Sequence, residues 1–241
     1  MIGQGALGTQ QASLGKSLEK LSTGLRINRA SDDAAGLSVS ESLRAKVRGM
    51  ERAKSNASDG IALLQIAEGA TGEINNILQR MRELTIQSST DTMTTTERSY
   101  TDKEFGQLMS EITRISNSAS YNGMTLLDGA AGSFGAAGGS SSVLHIGSGS
   151  SASVDRISVT ITAMTLGALG MNQTSTSVST ATTALAALSI IDTAIKSVNT
   201  MRSDMGAYVN RLEFAISNLS NQVYNTQDRS EEHTSELQSQ R

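Results

Sequence analysis

Apolar side chains recur at three- and four-residue steps over much of this chain, and the longest run lies near its C-terminal end. Leu188, Ile191, Ile195, Val198, Arg202, Met205, Val209, Leu212, Ile216, Leu219 and Val223 keep that spacing without a break, and Arg202 is the one polar occupant. The pattern predicts a heptad seam along one helix on the order of 50 Å long, at ~1.5 Å rise per residue. Each aliphatic that it buries contributes roughly 1.5–3 kcal/mol before ordering costs are subtracted. One helix cannot bury its own stripe. The seam therefore requires the N-terminal helices, another subunit, or both.

The first half of the chain offers such helices. Leu14, Leu18, Leu21 and Leu25 predict an amphipathic helix over 12–28. Ser31, Asp32 and Asp33 are alternative N-caps for the next helix. A second helix is expected over 40–54. A third is expected from Ser58–Asp59 to about Ser89, with Ile61, Leu64, Ile74, Leu78, Met81 and Thr85 on its inner face. Gly69 and Gly72 cost that helix roughly 1 kcal/mol each against alanine, so a tight crossing is expected there. The polar stretch 90–96 interrupts the pattern. Helix resumes over 97–118 with Phe105, Leu108, Met109, Ile112 and Ile115 on one face. Tyr121–Asn122–Gly123 signals a turn. The Gly/Ala/Ser-rich segment 129–141 reads as a flexible connection. Segments 142–146 and 156–162 alternate with period two and predict a β-hairpin leaning on the helices.

Composition reinforces a rod over a compact globule. Aromatic residues make up 3% of 241 residues, and Trp and Pro are absent, so aliphatic side chains must fill the core and the strongest helix breaker is missing. The net charge of −3 comes with no basic block, which argues against nucleic acid or an anionic membrane as partner. Zero cysteines exclude disulfides, thiolate metal sites and cysteine nucleophiles. No stretch reads as a bilayer span, and Met1–Thr9 lacks the charged-then-apolar form of a signal peptide.

Candidate chemistry is thin, and no enzyme, cofactor or metal site is expected. His145 falls in an expected strand and reads as a packed or half-exposed strand residue; His233 lies in the polar tail. No nucleophile-elbow sequence accompanies either histidine. Gly147–Ser148–Gly149 has no following helix or phosphate-binding lysine and reads as a hairpin loop. Asp32–Asp33 reads as a helix cap before a metal pair. Met81, Met109, Met201 and Met205 fall on helical faces as core filler.

Several ordered strings resemble the terminal signatures of bacterial flagellins. They are LeuSerThrGlyLeuArgIleAsn at 21–28, AspAspAlaAlaGlyLeu at 32–37, AsnAlaSerAspGlyIle at 56–61, AlaGluGly at 67–69, LeuGlnArgMetArgGluLeu at 78–84 and TyrAsnGlyMetThrLeuLeuAspGly at 121–129. At the other end, MetArgSerAspMetGlyAlaTyrValAsnArgLeuGlu at 201–213 and AsnLeuSerAsn at 218–221 match the C-terminal signature. The resemblance covers most of 12–228.

It implies a mainly α fold, a long antiparallel helical rod of coiled-coil character with a small β-hairpin. It also implies a structural, non-enzymatic subunit of the extracellular flagellar filament. Such a subunit self-assembles as a homopolymer for motility, is secreted by type III export, and takes hook-junction and cap proteins as further partners. A hook–filament junction protein and a secreted coiled-coil binding module are the alternatives. The implied division is a partial N-terminal inner-tube helix at 1–30 and a helical rod segment at 31–140. The hairpin at 141–164, a short variable Ser/Thr-rich connection at 165–184 and the C-terminal rod helix at 185–228 complete it. Outer variable domains are absent in this short type.

One recognition surface carries over by residue. In flagellins sensed by Toll-like receptor 5, an Arg and a Leu of an ArgXxxArgGluLeu segment and a Glu on the adjacent helix contact the receptor. Arg80, Leu84 and Glu104 occupy those positions, and subunit packing is the other expected use of the same surface. At the ends the resemblance lapses. Met1–Thr9 does not match the family opening, and 229–239 resembles the translation of a sequencing adapter, so 229–241 reads as a non-native tail on a sequence truncated at both termini. Such a chain is expected to fold its rod without its terminal inner-tube segments, with polymerisation and export-chaperone binding correspondingly impaired.

Overall fold

The computed structural model describes residues 2–24, 27–129, 134, 142–173 and 176–235. Among the described residues four helices and two small hairpins run in this order: α1 (Ile2–Thr23), α2 (Ala34–Ser89), α3 (Thr95–Ser118), β1 (Ser120–Tyr121), β2 (Met124–Thr125), β3 (Ser142–His145), β4 (Arg156–Val159) and α4 (Ala181–Ser235). Most of the expected connection 129–141 lies outside the described residues, as do Leu25 and residues 236–241.

The expected pair of helices at 40–54 and 58–89 is one continuous helix of 56 residues, α2. Asp33, among the three candidate caps, starts it: its Oδ1 accepts the Gly36 amide at 2.9 Å. The residues around the junction expected between 54 and 58, Asn56 to Gly60, serve a different purpose. Asn56 Nδ2 donates to the His145 carbonyl at 3.1 Å, and the Ser58 hydroxyl returns to the Lys54 carbonyl at 3.1 Å. A Cβ on Gly60 would lie 2.5 Å from Leu144 Cδ1 and 3.5 Å from Leu212 Cδ1. These polar and small residues seat the hairpin on α2 without unwinding it. The tight approach expected at Gly69 and Gly72 is found here instead: neither of those glycines has an atom within 4 Å of a built Cβ, and Gly69 is exposed.

α2 and α4 run antiparallel and form the body of the rod, with α3 folded back on the upper part of α2. The inner face of α2 is Met50, Ala53, Ala57, Gly60, Leu64, Ala67, Thr71, Ile74, Leu78, Met81, Thr85 and Ser88, again in steps of three and four. Buried Thr71 and Thr85 return their hydroxyls to the carbonyls of Ala67 and Met81, at 3.0 and 2.7 Å, so they occupy the seam without an unpaired polar atom. α3 begins with a capping box between Thr94 and Glu97. Arg98 closes the opposite end of the same turn, donating to the carbonyls of Ser88 and Thr90 at 3.0 and 2.7 Å, where α2 leaves its last acceptors free.

Asn122 (φ 49°) and Gly123 (φ 78°) both sit in the left-handed region and close the β1–β2 hairpin, the pairing a two-residue turn of this kind requires. The larger hairpin pairs Ser142 with Val159 and His145 with Arg156. Ile157, Val159, Ile161 and Met164 press into the helical core. The Ser/Thr-rich segment after it is anchored as well. Leu169, Met171 and Val178 are buried, Gln173 Nε2 donates to the Ser110 hydroxyl at 2.9 Å, and the Val178 amide donates to Asp102 Oδ1 at 2.8 Å.

Candidate assembly surface

The seam on α4 is wider than a two-position coiled-coil stripe. Ile191, Val198, Met205, Leu212 and Leu219 are buried, whereas Leu188, Ile195, Val209, Ile216 and Val223 are half-buried. Ala184, Ala187, Ala194 and Met201, which lie outside the expected seam, are buried beside the first group. Three positions per heptad face inward because the upper part of α4 meets both α2 and the segment after the hairpin, a broad stripe suited to a layered core. Met201 marks that second contact: its sulfur accepts the Thr162 amide at 3.4 Å. Arg202, the polar break in the seam, is half-buried, with Nη2 3.9 Å from Glu68 Oε1 on α2.

Arg80 and Glu104 are brought together across α2 and α3. Arg80 Nε donates to Glu104 Oε1 at 2.9 Å, and Nη1 lies 3.1 Å from Glu83 Oε2. Glu104 first, then Glu83, stabilise the charged guanidinium and raise its pKa further. Both Arg80 and Glu104 remain substantially exposed. Leu84 does not join them at the surface. It is 1% exposed and belongs to the core. A four-residue step turns a helix about 40° past a full turn, enough to carry Leu84 from the surface flank into the α2–α3 contact.

The Gly147–Ser151 loop is folded around a carboxylate of its own. Asp155 accepts the amides of Gly149 and Ser151 at 3.3 and 2.9 Å, and a Cβ on Gly147 would collide with that carboxylate. Its glycines thus serve a hairpin loop closed on an internal anion. His145 is half-buried in β3 opposite Arg156. Beside the loop, Val154 and Phe214, 76% and 77% exposed, flank an open groove of about 400 Å³ floored by Ile146 and Leu219. Among the described residues no three His, Cys, Asp or Glu side chains group as metal ligands.

Apolar surface is also open on α1, where Leu7, Leu14, Leu18 and Leu21 are all more than half exposed. By length and composition α4 does qualify as a membrane span, contrary to expectation, with one window of mean hydropathy 1.3. Of that window 28% is buried in the fold, while Leu185 within α4 is 59% exposed.

The N-terminal half, residues 2–131, matches the model of the bacterial flagellin N-terminal helical region, and residues 188–238 match the C-terminal helical region. The chain belongs to the bacterial flagellins. A flagellin of Halalkalibacterium halodurans is 42% identical over 212 residues, covering 88% of this chain and 74% of that protein. The flagellar filament 33 kDa core protein of Treponema phagedenis is 40% identical over 226 residues, covering 90% and 77%. The crystal structure of Bacillus cereus flagellin superposes with a TM-score of 0.58 at 30% identity, covering 68% of this chain and 88% of that one. A putative hook-associated protein of Vibrio parahaemolyticus reaches 0.68 at 16% identity, covering 85% and 100%, a likeness of fold alone.

Within this flagellin the two family regions are the strands of one rod: the first contains α2 and α3, the second most of α4. The hairpin and the anchored Ser/Thr segment fall between them. The C-terminal match extends through residues 229–238, and α4 continues without interruption to Ser235.

Proposed function

We propose that this flagellin is a structural subunit of the bacterial flagellar filament, polymerising with copies of itself through its helical rod and working outside the cell in motility. The observation that carries this is the antiparallel pairing of α2 with α4, which joins the two flagellin regions into one long element with apolar surface left open on α1 and beside the hairpin. A rod of this kind offers lateral faces along its length for neighbouring rods. Its chemistry is packing, with no convergent polar site needed.

Arg80 and Glu104 belong to the exposed side of that rod and are proposed as a subunit-packing surface. For Toll-like receptor 5 they retain the charged part of the expected contact. Leu84 supports the surface from beneath, because its side chain is spent in the core.

Filaments sheared from the source bacterium and analysed by quantitative mass spectrometry test the role. Peptides of this chain are expected as the dominant protein of the filament fraction. A trace amount would favour a hook–filament junction protein, and peptides found only in the soluble medium would favour a secreted binding module.

A further inference from the structure

The inner faces of α2 and α4 are poor at fixing their own alignment. Both repeat every seven residues and place aliphatic or small side chains at nearly every inward position, so a shift by one heptad again lays apolar groups on apolar groups. Ala53, Ala57, Gly60, Ala67 and Thr71 are too small to lock a knob into one hole. Yet a one-heptad slip would displace the ends of the rod by about 10 Å, at ~1.5 Å per residue.

A polar flank runs beside the seam. On α2, Glu68, Asn75 and Arg82 stand seven residues apart and so share one side of the helix. On α4, Arg202 faces Glu68 at 3.9 Å and Asp192 faces Arg82 at 2.7 Å. The charges alternate in opposite senses along the two antiparallel helices, and Arg202 is the one charged residue in the α4 stripe from Leu188 to Val223.

We propose that this flank selects the register of the α2–α4 pair. A slip of one heptad in one direction moves Arg202 from Glu68 to Asn75 and Asp192 from Arg82 to Ser89. The opposite slip lays Arg202 against Ile61 and Asp192 against Asn75. Either way both ion pairs are lost and a half-buried cation or carboxylate faces a neutral group. A slip of two heptads sets Arg202 against Arg82 in one direction. In the other it sets Arg202 against Lys54 and Asp192 against Glu68, like charge on like. Asn75 is the neutral spacer that makes the neighbouring registers unrewarding. It is 8% exposed, and its Oδ1 has no hydrogen-bond partner among the described residues. Arg202 Nε, buried on the facing helix, has none either. The pairs are exposed enough to add little stability in themselves. Their weight lies in the difference between one register and the next.

The absence of native cysteine makes the test clean. Leu219 packs with Met50 and Ala53, so the pair Ala53→Cys with Leu219→Cys reports the native register. Ala53→Cys with Leu212→Cys reports a slip of one heptad, and Ala53→Cys with Thr226→Cys reports the opposite slip. In the otherwise unchanged full chain, mild oxidation is expected to cross-link the native pair at least tenfold more than either slipped pair.

A flank made neutral by Glu68→Gln, Arg82→Gln, Asp192→Asn and Arg202→Gln is expected to raise a slipped cross-link to within about threefold of the native one, at unchanged helical circular dichroism. A flank with all charges reversed (Glu68→Arg, Arg202→Glu, Arg82→Asp, Asp192→Arg) is expected to return to the native pair alone. Asn56→Ala, which removes the hydrogen bond from α2 to the hairpin, controls for the other tether. If the neutral flank leaves only the native cross-link, or if slip appears with Asn56→Ala and not with the neutral flank, the hairpin sets the register and the proposal is overturned.

Discussion

Arg80 and Leu84 stand about one helical turn apart and answer to different surroundings. Truncating Leu84, 1% exposed, to alanine is expected to cost about 2–5 kcal/mol in urea unfolding, the range for a large aliphatic lost from a packed core. Arg80→Ala is expected to leave the unfolding midpoint in place, because its ion pairs sit in solvent. Equal effects from the two would contradict the placement of Leu84. Glu97 gives a pH-dependent counterpart. Hydrogen bonds from the Thr94 amide, then its hydroxyl, hold the Glu97 carboxyl below the usual glutamate value. Its contribution is therefore present above that ordinary value and is lost as pH falls through the lowered one. Amide exchange in the first turn of α3 is expected to quicken over that acid range in the native protein, and Glu97→Gln to abolish the pH dependence. What the sequence leaves illegible at this scale is direction. Spacing places Arg80 and Leu84 on one face of α2, but only the position of α3 decides that this face is split between surface and core.

Among the elements, the hairpin and the long α4 helix are legible because β-branched alternation and large aliphatics announce them. The length of α2 is hidden. Its inner face is occupied by Ala53, Ala57, Gly60, Ala67, Thr71, Thr85 and Ser88, which read as weak or polar positions until a partner helix lies on them. Asn56–Gly60, around the junction expected between residues 54 and 58, misleads for a related reason. Its polar and flexible residues suit a terminus as well as they suit a seat for β3, and only the His145 carbonyl decides between the two.

Asn56→Ala is expected to destabilise the fold by about 1–3 kcal/mol by leaving that carbonyl unpaired, and to raise exchange selectively in β3 and β4. Gly69, exposed with open space around a built Cβ, supports the opposite outcome. Gly69→Ala is expected to stabilise the isolated subunit by about 1 kcal/mol in calorimetry. Gly60→Ala should fall short of that gain because Leu144 has to move aside.

At the scale of the whole molecule, the terminal signatures make the family legible, and the structure adds why they lie at opposite ends of the sequence. α2 and α4 need each other to bury their stripes, so the chain must leave and return, and everything between them rides on the rod. The exposed leucines of α1 and the Phe214–Val154 groove are surfaces that an isolated monomer leaves in water. Polymerisation into a filament is expected to cover them. Immunogold electron microscopy of the source bacterium, with an antibody raised against this chain, tests whether this chain builds the filament. Label along the full length of the filament is the expected result. Label confined to the hook–filament boundary, or bare filaments with label in the medium, would contradict it.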